Sequence, residues 1–133
     1  MALRDYEAMD EDDYYGQPFE AEGFVSIWVA TGVLNKYPAE LEPLQDWCGV
    51  GYYDVDSHEQ NHAEYKAVPI AELLTPLSYS PSFQRQALEE ARRRGISTVT
   101  WVMAQYDFAY QPSAAKRPVS DVVTFLGAFR YSK

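Results

Sequence analysis

Alternation of apolar and polar positions defines three predicted strands, and these set the expected fold. In residues 24–31, FVSIWVAT, Val25, Ile27 and Val29 face one way while Phe24 and Trp28 face the other. A strand apolar on both faces belongs inside a sheet rather than at its edge, and Gly32 ends it. Residues 96–108, ISTVTWVMAQYDF, form the longest predicted strand, with Val99, Trp101 and Met103 on one face and Val102, Ala104 and Tyr106 on the other. In residues 121–131, DVVTFLGAFRY, a last strand places Val123, Phe125, Phe129 and Tyr131 together, with Gly127 between them. The last two strands are close enough in sequence to pair antiparallel.

Between the first strand and the second the period changes to that of a helix. Leu41, Leu44 and Cys48 fall at i, i+3 and i+7, with Gly49 placed as a C-terminal cap and Pro43 near the first turn. Residues 50–57, VGYYDVDS, read as a short or edge strand that runs into a polar segment, and residues 69–74 as a short helix. The clearest helix has Ser80 as N-cap, Pro81 at its first position and Gly95 just past its end. Phe83, Ala87, Leu88 and Ala91 are its apolar stripe. Glu89 and Glu90 precede Arg93 and Arg94 by four residues, so the Arg92–Arg94 run suits a helix C-terminus. The order strand, helices, strand, strand predicts an α+β fold: a small mixed or antiparallel sheet of about four strands, with helices mainly on one face. No repeat or linker divides residues 23–133, which read as one domain; residues 1–22 read as an irregular acidic arm broken by Gly16 and Pro18.

Composition narrows the function classes. The 133 residues are 47% hydrophobic and 15% aromatic, eleven of them tyrosine, which suits a packed core and also a binding surface. The N-terminus lacks a leader pattern, the longest apolar run is too short to span a bilayer, and Cys48 is the only cysteine, so a cytoplasmic chain is expected. The net charge of −9 is unevenly placed. Residues 1–22 carry eight acids against Arg4, residues 23–65 seven against Lys36, and residues 66–133 five against nine bases. Such a first half disfavours nucleic acid and membrane surfaces and favours a basic partner.

One motif invites a catalytic reading. His58-Glu59-Gln60-Asn61-His62 spells H-E-x-x-H, which on a helix would hold zinc through His58 and His62, with Glu59 as the base. The chain has no third histidine, and residues 54–66 lack the apolar stripe that would fix such a helix to a core. The competing reading is two exposed histidines on a polar segment. A calcium loop starting at Asp54 lacks glycine at its sixth position, where Glu59 stands, and glutamate at its last, where Tyr65 stands. No cofactor, resident metal or catalytic residue is expected.

Four segments in order, FVSIWVA, GYYDVD, TWVMAQYDFAY and VVTFLGAFRY, resemble the bacterial immunity protein 22 family, the antitoxin partners of polymorphic toxin systems. The resemblance spans about residues 24–131 and departs after Asp56, where His58 to His62 replace a more hydrophobic continuation. It implies inhibition by binding, without turnover: a cognate toxin's active site is blocked or its substrate path covered, one to one. The acidic first half suits a nuclease toxin with a basic cleft, in which carboxylates stand in for phosphates. Candidate contacts are Asp54, Asp56 and Glu59 beside Tyr52 and Tyr53. A second group is Asp107 with Tyr106 and Tyr110, and Asp10, Asp12 and Asp13 belong to an acidic flap.

Overall fold

A computed structural model describes residues 19–32, 44, 48, 50, 54–63, 66–111 and 123–133. Its centre is a four-stranded antiparallel sheet in the order β2-β5-β1-β6. Strand β1 is Glu20–Ala30, β2 is His58–His62, β5 is Trp101–Phe108 and β6 is Thr124–Arg130. A two-residue pairing of β3, Val68–Pro69, with β4, Thr98–Val99, makes a second small sheet. Helices α1, Ile70–Leu74, and α2, Ser80–Arg93, complete the α+β fold.

β1 is central, as its two apolar faces require. Val25, Ile27 and Val29 join Val102, Ala104, Tyr106 and Leu126 under the two helices, against Leu73, Leu74, Phe83, Ala87 and Ala91. On the opposite face Trp28, Trp101, Met103 and Phe108 pack with Phe19, Leu44, Cys48 and Tyr110. Leu44 and Cys48 are helical and fully buried; Leu41, Pro43 and Gly49, which the predicted helix also used, lie outside the described residues. β1 begins at Glu20, four residues ahead of its apolar run, because Phe19 anchors its start in this second core.

The pairing of the last two strands is not what their proximity in sequence predicts. β1 lies between β5 and β6 and bonds to both, so the two strands never meet. A strand buried on both faces needs two neighbours, and those two are the most apolar candidates available. The predicted 96–108 strand is likewise interrupted. Thr100 leaves the ladder, donating its N–H to the Ala30 carbonyl at 2.8 Å and its hydroxyl to the Gly32 carbonyl. Val99 therefore falls in the helix-side core, opposite Trp101 and Met103. In β6 an extra residue at Leu126 shifts the register between Ile27 and Trp28, which sends Val123 and Phe125 to one core and Phe129 and Tyr131 to the other. The expected single face is thus two half-faces.

Helix α2 ends as expected and begins differently. Gly95 takes φ +75°, its N–H donates to Arg92 and the Ile96 N–H donates to Ala91, which closes the C-terminus as a Schellman motif. The N-cap is Tyr79 rather than Ser80, whose hydroxyl instead donates to the Thr75 carbonyl at 2.8 Å. Glu90 holds both Arg93 and Arg94, while Glu89 turns back to Arg85 at 3.4 Å. Within 50–57, residues 55–57 are a 3-10 turn rather than a strand, and 51–53 lie outside the described residues.

Candidate functional site

β2 answers the question raised by the H-E-x-x-H motif. The segment is an edge strand on β5, so His58 and His62 stand about 13 Å apart along it at about 3.3 Å per residue. Zinc needs both nitrogens within about 2.1 Å of one point; the motif's helical geometry is not realised. His62 is exposed, but His58 is half-buried, against the expectation of two exposed rings. Facing strand β5 supplies the reason: Gln105, itself buried, stands opposite and its Oε1 lies 3.0 Å from His58 Nδ1.

The residues that converge lie where β5 runs out. Asp107 takes φ 56°, and a wide irregularity in the β1–β5 pairing spans Glu20 to Val25 opposite it. Its carboxylate replaces the lost ladder bond, Oδ1 accepting from the Gly23 N–H at 3.0 Å and from the Tyr131 hydroxyl at 2.7 Å. Burial pushes the Asp107 carboxyl up, but these two donors and the Lys133 ammonium outweigh it and hold it below the ordinary range. Glu59 is committed in the same way. One carboxylate oxygen accepts from the Ser78 N–H at 2.9 Å, the other from the Ser78 hydroxyl, and Tyr106 Oη lies 2.9 Å from Oε1. Burial raises this carboxyl too, and the Ser78 and Tyr106 bonds with the His58 charge bring it below its usual value. Glu59 thereby ties the sheet edge to the turn before α2. Asp54 is tied as well: its carboxylate accepts from the Asp56 N–H at 3.0 Å and from the Ser57 hydroxyl at 3.2 Å, capping the 3-10 turn.

Two shallow pockets meet here. One, of about 170 Å³, is walled by Asp56, Glu59, Tyr79, Tyr106, Asp107 and Tyr131. The other, of about 300 Å³, continues past Asp107 to Asp54 and Glu20. The two candidate groups read from sequence, Asp54-Asp56-Glu59 and Tyr106-Asp107, therefore lie side by side. Tyr110 lies apart from them. Only 3% exposed in the opposite core, it donates its hydroxyl to the Cys48 carbonyl at 2.6 Å. Tyr52, Tyr53, Asp10, Asp12 and Asp13 lie outside the described residues.

Sequence reading missed Tyr79 and Tyr131. Tyr79, 42% exposed, adopts φ 61° as the cap of α2. With Asp107 it is one of the two non-glycine residues with positive φ among the described residues, and both line the smaller pocket. The rings of Tyr79, Tyr106 and Tyr131 stand with centroids 5.1 to 5.8 Å apart. A non-glycine residue in that conformation costs of order 1–3 kcal/mol and persists where the surroundings enforce it. The run Ser78-Tyr79-Ser80-Pro81 marks a helix start, but nothing in it announces that the tyrosine takes the cap.

The arrangement offers carboxylates and the exposed Tyr79 ring at one concave edge, with no group of three metal-ligating side chains among the described residues. No helix among them is long and apolar enough to cross a membrane. No curated protein and no solved structure matches the chain significantly. A family profile does: the one described as Immunity protein 22 covers residues 43–132, which takes in β2 through β6 and all of the smaller pocket except Lys133. With two thirds of its length matched, the chain belongs to the immunity protein 22 family.

Proposed function

We propose that the chain binds a cognate bacterial toxin one to one in the cytoplasm and neutralises it, without turnover, by presenting the acidic edge around Asp54, Asp56 and Asp107. Membership of the immunity protein 22 family carries this reading. The chemistry of the edge supports its finer part. Asp54 and Asp56 are exposed, and Asp56 has no hydrogen-bond or ion-pair partner for its carboxylate among the described residues. Carboxylates so placed suit the Lys and Arg of a cleft built to hold phosphates, so the toxin is a nuclease. Glu59 holds the edge in shape, and Asp54, Asp56 and Asp107 meet the partner.

The test joins capture to rescue. Tagged protein drawn from its own bacterium brings down a single basic partner at one-to-one stoichiometry. Expression of that partner alone stops growth and degrades nucleic acid, and co-expression with this chain restores both. A partner whose toxicity is unchanged by co-expression rejects the neutralising role. A partner that is toxic without degrading nucleic acid rejects the nuclease.

A further inference from the structure

The smaller pocket is more than a patch of negative charge. Its volume of about 170 Å³ exceeds the ~30 Å³ share of a single water, and its mainly polar wall includes one exposed ring, that of Tyr79, beside the carboxylates and the buried Tyr106 and Tyr131. Tyr79 stands at the rim, held in the left-handed conformation by its place at the head of α2, and presents its ring to solvent. Asp107 lines the pocket with one carboxylate oxygen committed to Gly23 and Tyr131. A cation already sits there. The Lys133 ammonium lies 4.0 Å from Asp107 Oδ2, with its side chain 65% exposed, too loose and too wet a pair to contribute much.

Resting on the toxin-binding reading above, we propose that this pocket receives one arginine side chain of the partner, which displaces Lys133 from Asp107 and lays its guanidinium against Tyr79. Arginine fits better than lysine for a geometric reason. A planar guanidinium stacks on an aromatic ring and still directs N–H groups in its own plane at a carboxylate, whereas an ammonium is a compact, strongly hydrated point charge. The Asp107 carboxylate calls for a cation, and the exposed Tyr79 ring selects the flat one. Asp56 at the rim adds a second carboxylate for the same group.

The test needs no toxin. N-acetyl-arginine methylamide is titrated into isotope-labelled protein and followed by NMR, beside the lysine analogue and the neutral citrulline analogue, which keeps arginine's shape without its charge. Saturable shifts centred on Tyr79, Asp107, Tyr131 and Lys133 are expected with arginine, binding about threefold weaker with lysine, and none with citrulline. Asp107→Asn keeps an acceptor for Gly23 and Tyr131 and tolerates positive φ, so the fold stands and arginine binds about fivefold more weakly. Tyr79→Gly relaxes the backbone and removes the stacking face, with a loss of about threefold. Lys133→Gln removes the competitor and tightens binding about twofold. Citrulline binding as well as arginine, or arginine binding unchanged in Asp107→Asn and Tyr79→Gly, overturns the proposal. A flat titration removes the arginine pocket and leaves the toxin reading to the capture and rescue experiment; failure of rescue with an intact titration does the opposite.

Discussion

His58 shows how one side chain is fixed by partners that the sequence does not bring near it. Trp101 Nε1 donates to Gln60 Oε1 at 3.2 Å, and Gln60 Nε2 lies 2.9 Å from His58 Nε2. On the other side His58 Nδ1 faces Gln105 Oε1 at 3.0 Å, and Gln105 Nε2 donates to the Asp54 carbonyl at 2.9 Å. The donors run one way along this chain, which assigns the proton to Nδ1 and leaves Nε2 to accept from Gln60. A second proton on Nε2 opposes the Gln60 donor, and turning that amide gives up the bond from Trp101. Burial, ahead of the opposing influences of Gln105 and Glu59, accordingly lowers the His58 pKa from 6.5. As pH falls through 6.5 the unfolded chain takes up this proton before the folded one does, so stability declines from there downward. Glu59 and Asp107, both held below their ordinary values, add a second decline of the same sign, beginning near 4.5 and 3.8. Urea midpoints at pH 7.5, 5.5 and 3.5 should fall in two stages, and His58→Gln should abolish the first stage alone. A wild-type midpoint equal at 7.5 and 5.5 would sink the assignment. The four-residue spacing of two histidines said nothing of this, because the register that sets Gln105 against His58 joins residues 47 apart.

Among elements, local pattern proved sufficient for strand identity and insufficient for phase and order. Residues 24–31 declared a central strand because both faces are apolar, and helix α2 declared its stripe and its glycine stop. The slips lie where one strand carries extra residues. Leu126 is a single extra residue in β6, and between Glu20 and Val25 β1 carries three more residues than β5 does around Asp107, so the alternation read along any one strand does not show the slip. The site was legible in the same partial way. Its acidic members stood out as charges in aromatic runs, but their union required β2 and β5 to pair, and Tyr79 and Tyr131 read as ordinary turn and core residues. β6 carries a consequence that can be measured. The Phe129 ring lies over Gly127 so closely that a Cβ there would meet Phe129 Cζ at 2.9 Å, and Gly127 takes φ +155°. Gly127→Ala should therefore destabilise the fold by roughly 1–3 kcal/mol through the displaced ring and the strained backbone. Its midpoint in urea should recover in part when Phe129→Leu is added, the sign of coupling between contacting residues. An alanine variant as stable as the parent would show that the bulge adjusts freely. Farther along the strand, Arg94 Nη1 donates to the Phe125 carbonyl at 2.7 Å and Gln86 Nε2 to the Arg130 carbonyl at 3.2 Å. Side chains of α2 and of its C-cap thus occupy acceptors along β6, an edge strand among the described residues that would otherwise offer them to another chain.

At the scale of the whole molecule, charge among the described residues separates along α2. The acidic edge lies at the N-terminal end of α2, where Tyr79 caps it, while the exposed Arg92 and Arg93 lie at its C-terminal end, about 20 Å away for fourteen residues at about 1.5 Å each. On the proposed function, a basic toxin is drawn toward one end and repelled from the other, which would orient the encounter before any contact forms. Rim charges act chiefly on the association rate, whereas desolvated pairs act on dissociation. Asp56, exposed and without a partner for its carboxylate among the described residues, belongs to the first kind. Asp56→Lys should slow association with the toxin by about tenfold at low ionic strength, equivalent to about 1.4 kcal/mol. The deficit should shrink as salt shortens the screening length toward about 8 Å at 0.15 M, with dissociation hardly changed. Arg92→Glu, at the far end, should leave the rate the same or raise it slightly. Rates measured by stopped flow across a salt series separate the cases. Faster dissociation at an unchanged association rate would place Asp56 in a desolvated contact rather than on the rim. A rate insensitive to Asp56→Lys and lowered by Arg92→Glu would put the toxin on the basic end of the molecule and remove the acidic edge from the interface.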